Sequence, residues 1–276
     1  MRVGYLAPAT SFDGTVHSVF ARACNISYPL GLLTLAARGL ADGPSVWRLS
    51  GSPTPDLRTL FSPGDRLRCR QAAAFTRDVV LDLSNAATWL PPSRPRLSSG
   101  RLDANLQRAR AALERRRGRV SSVGYCEAQA SLRALEIACS RLDIERATAE
   151  VHHLIGWGEG LTPAGDDALV GILASLGAFA HTDALRAAFL RSLSLAVASR
   201  VARTTVISAH YLRLAAQGHF NADVTRLVDA WVGGDAGNVT GMQEALEAVL
   251  DVGATSGADM VAGMIAGLRA WAPMQP

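Results

Sequence analysis

Lysine is absent from this sequence of 276 residues, so all 28 of its basic residues are arginines. The absence excludes chemistry that needs a lysine amine, including the Schiff base of pyridoxal-phosphate enzymes and the phosphate-binding lysine of Walker-type nucleotide hydrolases. The densest run of arginines lies in residues 101–119 and has no interleaved aromatic residues. It lies on a predicted helical stretch that has one apolar stripe. This pattern favours a solvated helix face over a nucleic-acid surface.

Cysteine is scarce, and the four residues lie far apart with no C-x-x-C pair: Cys24, Cys69, Cys126 and Cys139. We expect reduced, apolar cysteines, because neither a disulfide framework nor a zinc motif has this spacing.

Long apolar runs are also absent. Ala168–Ala180 is shorter than the roughly 20 residues that span a bilayer, and it predicts a buried helix. With no signal-peptide pattern after Met1, the sequence predicts a cytoplasmic protein without a membrane segment.

Short β-rich runs separated by Gly, Pro, Asp and Ser fill the first 95 residues. We predict strands at Val16–Ile26, Gly31–Ala36, Ser45–Leu49, Arg66–Gln71 and Asp78–Leu83. Arginine alternates strictly with apolar residues in Arg66–Arg70, which predicts a strand with one arginine face. Closely spaced strands with tight turns predict a small barrel or sandwich.

The segment Leu90–Gly100 (LPPSRPRLSSG) fits neither a strand nor a helix, and we predict a linker there. Beyond this segment, apolar residues recur with the spacing of a helix. Helical faces are predicted in residues 102–113 and 144–154, and helices at about 184–199, 207–217, 224–232, 242–250 and 258–270. The predicted fold class is therefore α+β, with a β-rich domain at residues 1–95 and an all-α domain at 96–276.

A glycine-rich loop, GWGEGLTPAGDDALVG, begins at Gly156. Gly158 and Gly160 precede Thr162, which we predict to cap a helix with proline at its first position. Backbone N–H groups at such a helix start can bind an anion. Gly165 in the first turn costs about 0.5–1 kcal/mol relative to alanine, which either a ligand or a crossing helix would explain.

Asp166 and Asp167 follow this loop and precede the apolar run. Carboxylates in a first turn complement the helix dipole, which explains one surface aspartate better than two beside a buried helix. We therefore predict that at least one acts chemically. Oxygen ligands from these two residues, Glu159 and Asp259 could alternatively hold magnesium. The histidines match no zinc-site spacing, and no metal or other cofactor is expected.

A second segment, GATSGADMVAG from Gly253, has a similar order of residues. Its threonine precedes its aspartate by four positions, as in the first segment, so two helix starts could share one ligand. The predicted contacts are Thr255, Ser256, Gly257 and Asp259. The alternative is that small residues let helices pack closely.

A third segment, residues 199–210, places Arg203 beside Thr204 and Thr205 with Ser208 close behind. Arginine grips a carboxylate or phosphate through two parallel hydrogen bonds, and hydroxyls can complete such a site. We predict anion binding here, whereas an arginine-rich protein can also carry surface arginines with no ligand.

Together these segments resemble the AllH family, which includes a subunit associated with oxamate carbamoyltransferase in allantoin breakdown. The resemblance rests on G-x-G-x-G-L-T-P-A-G-D-D, T-T-V-I-S-A-H-Y-L-R, G-A-T-S-G-A-D-M and, near the N-terminus, S-V-F-A-R-A-C-N. It implies carbamoyl transfer between carbamoyl phosphate and oxamate, in a complex with partner subunits. The S-x-R-T-R phosphate loop of the widespread transcarbamylases is absent.

For the chemistry that the resemblance implies, the helix starts at Thr162 and Thr255 are candidates for the phosphate. Arg203 with its two threonines is a candidate for the carboxylate, and Asp166 or Asp167 for the proton. Two other functions stay open. The chain could be a non-catalytic anion-binding or scaffolding subunit, or a stand-alone magnesium-dependent hydrolase that uses the aspartates.

Overall fold

The computed structural model describes residues 1–93 apart from 9, 52 and 54, and residues 102–117, 125–233 and 239–272. The chain divides into two compact units, Met1–Pro92 and Ser93–Pro276. The first is strand-rich and the second is helical, which confirms the predicted α+β class. Most of the predicted linker lies outside the described residues. None of the described helices is long and apolar enough to cross a membrane.

The described strands of the first unit form one nine-stranded, half-barrel sheet in the order β8-β7-β6-β2-β3-β4-β5-β1-β9. Their bounds are β1 Arg2–Gly4, β2 Phe12–Val19, β3 Ala23–Tyr28, β4 Gly31–Ala36, β5 Val46–Arg48, β6 Arg66–Arg70, β7 Ala73–Phe75, β8 Val80–Asp82 and β9 Ala87–Trp89. Neighbours pair antiparallel except β4 with β5 and β1 with β9.

Alternation of residues sets the two faces of this sheet. In β6 the three arginines are exposed while Leu67 and Cys69 are buried, as the sequence pattern predicts. The buried side chains join Ile26, Leu33 and Trp47 in the core of the unit. The single strand predicted at Val16–Ile26 is wrong, because residues 20–22 turn the chain between β2 and β3.

The second unit contains nine helices within the described residues. They are α1 Leu102–Arg117, α2 Tyr125–Arg141, α3 Ile144–Leu154, α4 Ala164–Phe179, α5 Ala184–Arg200, α6 Val206–Ala216, α7 Ala222–Val232, α8 Val239–Leu250 and α9 Ser256–Trp271. Helix α4 is buried on nearly every side, so it is the central helix of the unit. This confirms the buried helix predicted from the apolar run.

Helices α4 and α9 pack with their backbones unusually close. A Cβ atom added at Gly171 of α4 would lie 2.0 Å from the carbonyl oxygen of Met260, and one at Gly263 of α9 would lie 1.9 Å from that of Ala168. Since Ser175 meets Gly267 further along, the two helices run in the same direction. Their N-terminal ends therefore lie together.

Candidate functional site

The starts of α4 and α9 meet through two hydroxyls. Thr162 Oγ1 and Ser256 Oγ are 2.7 Å apart and share a hydrogen bond. The prediction that Thr162 caps the helix is wrong by one position, because Pro163 occupies the cap and makes no side-chain cap hydrogen bond. Thr255 likewise precedes α9 without capping it through its side chain. The Thr162 hydroxyl is therefore directed across to the second segment.

Asp166 is a fully buried hydrogen-bond hub between the first and third segments. Its Oδ1 accepts a hydrogen bond from the backbone N–H of Gly156, at 2.8 Å. Its Oδ2 accepts from Ser208 Oγ at 2.7 Å and also from Thr204 Oγ1. Both carboxylate oxygens are thus occupied by protein donors, which indicates a role in holding the segments together.

Asp167 is buried in a different way. Only 6% of the residue is exposed, and its Oδ2 has no hydrogen-bond partner among the described residues. The hydroxyls of Ser256 and Thr162 hydrogen-bond the carboxyl group. A buried polar oxygen without a partner is costly, so this position differs from an ordinary helix-start aspartate.

Burial raises the pKa of Asp167 to about 8, against 3.8 for an unperturbed aspartate. The two hydroxyl hydrogen bonds lower it by less than burial raises it, and the negative charges of Asp259 and Asp166 raise it further. At pH 7 the carboxyl group is therefore mostly protonated. A neutral group gains little from a helix dipole, which removes the main physical reason for a purely structural Asp167.

The third segment closes over the glycine-rich loop. Thr205 caps α6 by accepting from the N–H of Ser208, at 3.1 Å, and its hydroxyl donates to the carbonyl of Leu161 at 2.5 Å. Arg203 ends the short 3-10 turn Val201–Arg203 and is exposed. Its charge and that of Arg200 lower the pKa of His152, after the larger effect of burial. A cationic rim therefore adjoins the loop.

The predicted site glycines have different environments. Gly158 and Gly160 have φ angles of 109° and 94°, which only glycine adopts easily, and a Cβ at Gly160 would meet open space. A Cβ at Gly165 would lie 2.0 Å from the carbonyl oxygen of Leu154, and one at Gly257 equally close to that of Val249. Close backbone packing thus accounts for Gly165 and Gly257 without a ligand.

The remaining predicted acidic residues do not form a cation cage. Glu159 is exposed on the loop, and Asp259, in the first turn of α9, is half-buried and acts on Asp167 through its charge. No group of three or more His, Cys, Asp or Glu residues suited to a metal ion occurs in the part of the chain that the structure describes. The magnesium hypothesis therefore has no donor cluster there, and the Asp166 oxygens already accept from protein groups.

Three backbone groups at this site were missed by the sequence interpretation. The N–H of Gly156 binds Asp166, and the carbonyls of Leu161 and Leu154 meet Thr205 and Gly165. Only the first of these contacts had a signal in the sequence, namely the glycine at position 156. The φ of 75° and the close approach to the carbonyl of Arg203 require a glycine there. Backbone carbonyls carry no residue-type signal, so the other two contacts need the fold.

Fold and site together define a two-unit α+β protein in which three segments gather two buried aspartates and four hydroxyls at one helix start. Residues 154–268 match the family model described as oxamate carbamoyltransferase subunit AllH, and residues 4–88 match that of the AllH family N-terminal domain. The two matches cover most of the chain, and the protein belongs to the AllH family. No solved structure matches the chain.

Membership confirms the resemblance seen in the sequence motifs. The matched region 154–268 contains all three segments of the candidate site, and the family is that of a subunit of oxamate carbamoyltransferase. A subunit works with partner proteins in a complex, so partner subunits are expected for this chain as well.

Proposed function

We propose that this chain is a subunit that takes part directly in carbamoyl transfer between carbamoyl phosphate and oxamate or a similar small amide. The observation that carries the proposal is the buried Asp167 carboxyl group with a pKa of about 8 behind the Thr162 and Ser256 hydroxyls. Proton transfer is most effective when the pKa of the group lies near the working pH. An ordinary aspartate lies too far below it.

The proposed step balances as follows. The amide nitrogen of oxamate attacks the carbamoyl carbon, a C–N bond forms, and the C–O bond to phosphate breaks as phosphate leaves with the bonding electrons. The proton lost by the nitrogen passes through the hydroxyl pair Thr162–Ser256 to the ionised Asp167. In the reverse direction, a phosphate oxygen attacks the carbamoyl carbon and the C–O bond forms, while protonated Asp167 returns a proton through the hydroxyl pair to the amide nitrogen as the C–N bond breaks.

The hydroxyl pair is needed because Asp167 lies behind it. Thr162 and Ser256 are half-buried, whereas the carboxyl group is almost completely buried. A relay through a hydroxyl moves the proton without exposing the carboxyl group to water, and exposure would return its pKa toward 3.8. The relay and the raised pKa thus depend on the same burial.

In this proposal, two parts of the site are candidates to bind the anionic groups of the substrates. Arg203 is exposed beside the loop and has no ion-pair partner among the described residues, so its guanidinium is available to a carboxylate. The backbone at Gly158–Gly160 and the start of α4 suit the phosphate, since Gly160 borders open space and helix starts attract anions.

Arg203→Gln tests this assignment in the enzyme reconstituted with its partner subunits. We expect the KM for oxamate to rise about tenfold or more, because a charge-assisted hydrogen bond contributes roughly 1.5–3 kcal/mol, with a smaller change in kcat. The control is Arg191→Gln on the exposed face of α5. Omitting this chain from the complex should abolish transfer.

Two results would count against the proposal. An unchanged KM in Arg203→Gln would place the carboxylate elsewhere. Full transfer by the partner subunits without this chain would favour the alternative function, a scaffolding or anion-binding subunit.

A further inference from the structure

The strand-rich unit contains a groove that the proposed function does not use. A cavity of about 430 Å³ opens on the face of β2, β3 and β6. Its lining is mainly polar and includes Thr15, Ser27, Tyr28, Arg66 and Arg68. This volume lies within the range of small-ligand sites, roughly 300–1,000 Å³.

Strand register brings the polar groups of this groove together. Thr15 of β2 lies opposite Arg66 of β6 on one side and opposite Ser27 of β3 on the other. Asp13 lies opposite Arg68. Two guanidinium groups and two hydroxyls therefore share one concave surface.

The groove has an excess of positive charge. The alternation in β6 exposes three arginines on one face, and the single facing carboxylate, Asp13, is bound to Arg70 at 2.7 Å. The nearby Asp65 carboxylate accepts from the backbone of Ser62. Within the described residues, Arg66 and Arg68 have no ion-pair partner. Two unneutralised arginines in a polar hollow suit a doubly charged anion.

We propose that this groove is a second binding site, specific for a small dianion with carboxylate or phosphate groups. Arg66 and Arg68 bind the two charged ends or one bidentate group, and the hydroxyls of Thr15 and Ser27 donate the remaining hydrogen bonds. The proposal concerns the strand-rich unit alone and is independent of the chemistry assigned to Asp167.

Hydrogen–deuterium exchange of the full chain tests the site with two probes, inorganic phosphate and oxalate at millimolar concentration. Protection is expected in the peptides that cover Phe12–Val19 and Arg66–Arg70. Protection by phosphate alone identifies a phosphoryl ligand, and protection by oxalate alone or by both identifies the carboxylate class or a general dianion site. No protection by either probe overturns the proposal.

Matched variants distinguish ligand binding in the groove from nonspecific effects of charge on binding. The double variant Arg66→Gln/Arg68→Gln should weaken binding about 100-fold, since each of the two lost charge-assisted contacts changes affinity about tenfold or more. Asp13→Asn should strengthen it, because a repelling carboxylate is removed. Arg77→Gln, exposed in the same unit and outside the groove, should have no effect. Equal binding in the double variant, or equal loss in Arg77→Gln, contradicts the proposal.

Discussion

Asp167→Asn is expected to lower carbamoyl transfer by roughly 100-fold or more in the reconstituted complex and to leave the fold intact. An amide cannot accept and return the proton, so the relay through Thr162 and Ser256 is interrupted. Stability at pH 7 should rise rather than fall, because the native carboxyl group, with its pKa of about 8, must take up a proton that the unfolded chain, with a pKa near 3.8, has lost, and asparagine needs none. Asparagine has nearly the same shape and also lacks charge.

The matched control for Asp167→Asn is Asp103→Asn, an exposed aspartate in the first turn of α1. If a first-turn carboxylate matters only through the helix dipole, both changes should cost under about 1 kcal/mol and leave the rate unaffected. A normal rate in Asp167→Asn would move the proton carrier to another residue or to a partner subunit. Melting temperatures of both variants show whether any loss of rate reflects unfolding.

Asp166→Ala is expected to lower the free energy of unfolding of the helical unit by about 3 kcal/mol or more. The change removes a buried carboxylate and leaves three donors without an acceptor: the N–H of Gly156 and the hydroxyls of Thr204 and Ser208. Unsatisfied buried groups cost more than the lost hydrogen bonds alone. Urea unfolding followed by the helical circular dichroism signal measures the loss.

Asp183→Ala provides the comparison for Asp166. Asp183 caps α5 by accepting from the N–H groups of Leu185 and Arg186, and it is exposed. Losing such a cap costs about 1 kcal/mol. If Asp166→Ala costs no more than Asp183→Ala, then Asp166 is not the hub that joins the first and third segments.

The two aspartates show where sequence reasoning ends. The sequence indicated that at least one of them acts chemically, without showing which, although consecutive helical residues point about 100° apart. Their roles differ because of residues far along the chain, since Thr204 and Ser208 approach one of them and Ser256 the other. These contacts arise from helix packing, which no local pattern in the sequence shows.

Regular amphipathic segments were easier to predict. The arginine face of Arg66–Arg70 and the predicted helix at 184–199 agree closely with the observed β6 and α5. The three-residue strands Ala73–Phe75 and Ala87–Trp89 were not predicted, because so short a segment shows little alternation, whereas Val46–Arg48 and Val80–Asp82 lie within the strands predicted at 45–49 and 78–83. Helix α2 was also missed.

Packing also explains why the second segment resembles the first. The small residues of α9 were open to two interpretations, a shared ligand or close helix packing. The contact between Gly263 and Ala168 shows that close packing occurs, and the hydrogen bond between Ser256 and Thr162 shows that the two starts meet. Close packing is thus what brings the hydroxyls to Asp167.

Titration of the Asp167 carboxyl group is the most direct test of this account, and it needs neither substrate nor partner. Aspartate labelled with ¹³C at the carboxyl carbon gives one resonance for each residue, and the resonance lost in Asp167→Asn identifies the group. The account predicts a midpoint near pH 8, because burial disfavours the charged form. A midpoint near pH 4 would show an ordinary ionised aspartate and contradict its role as proton carrier.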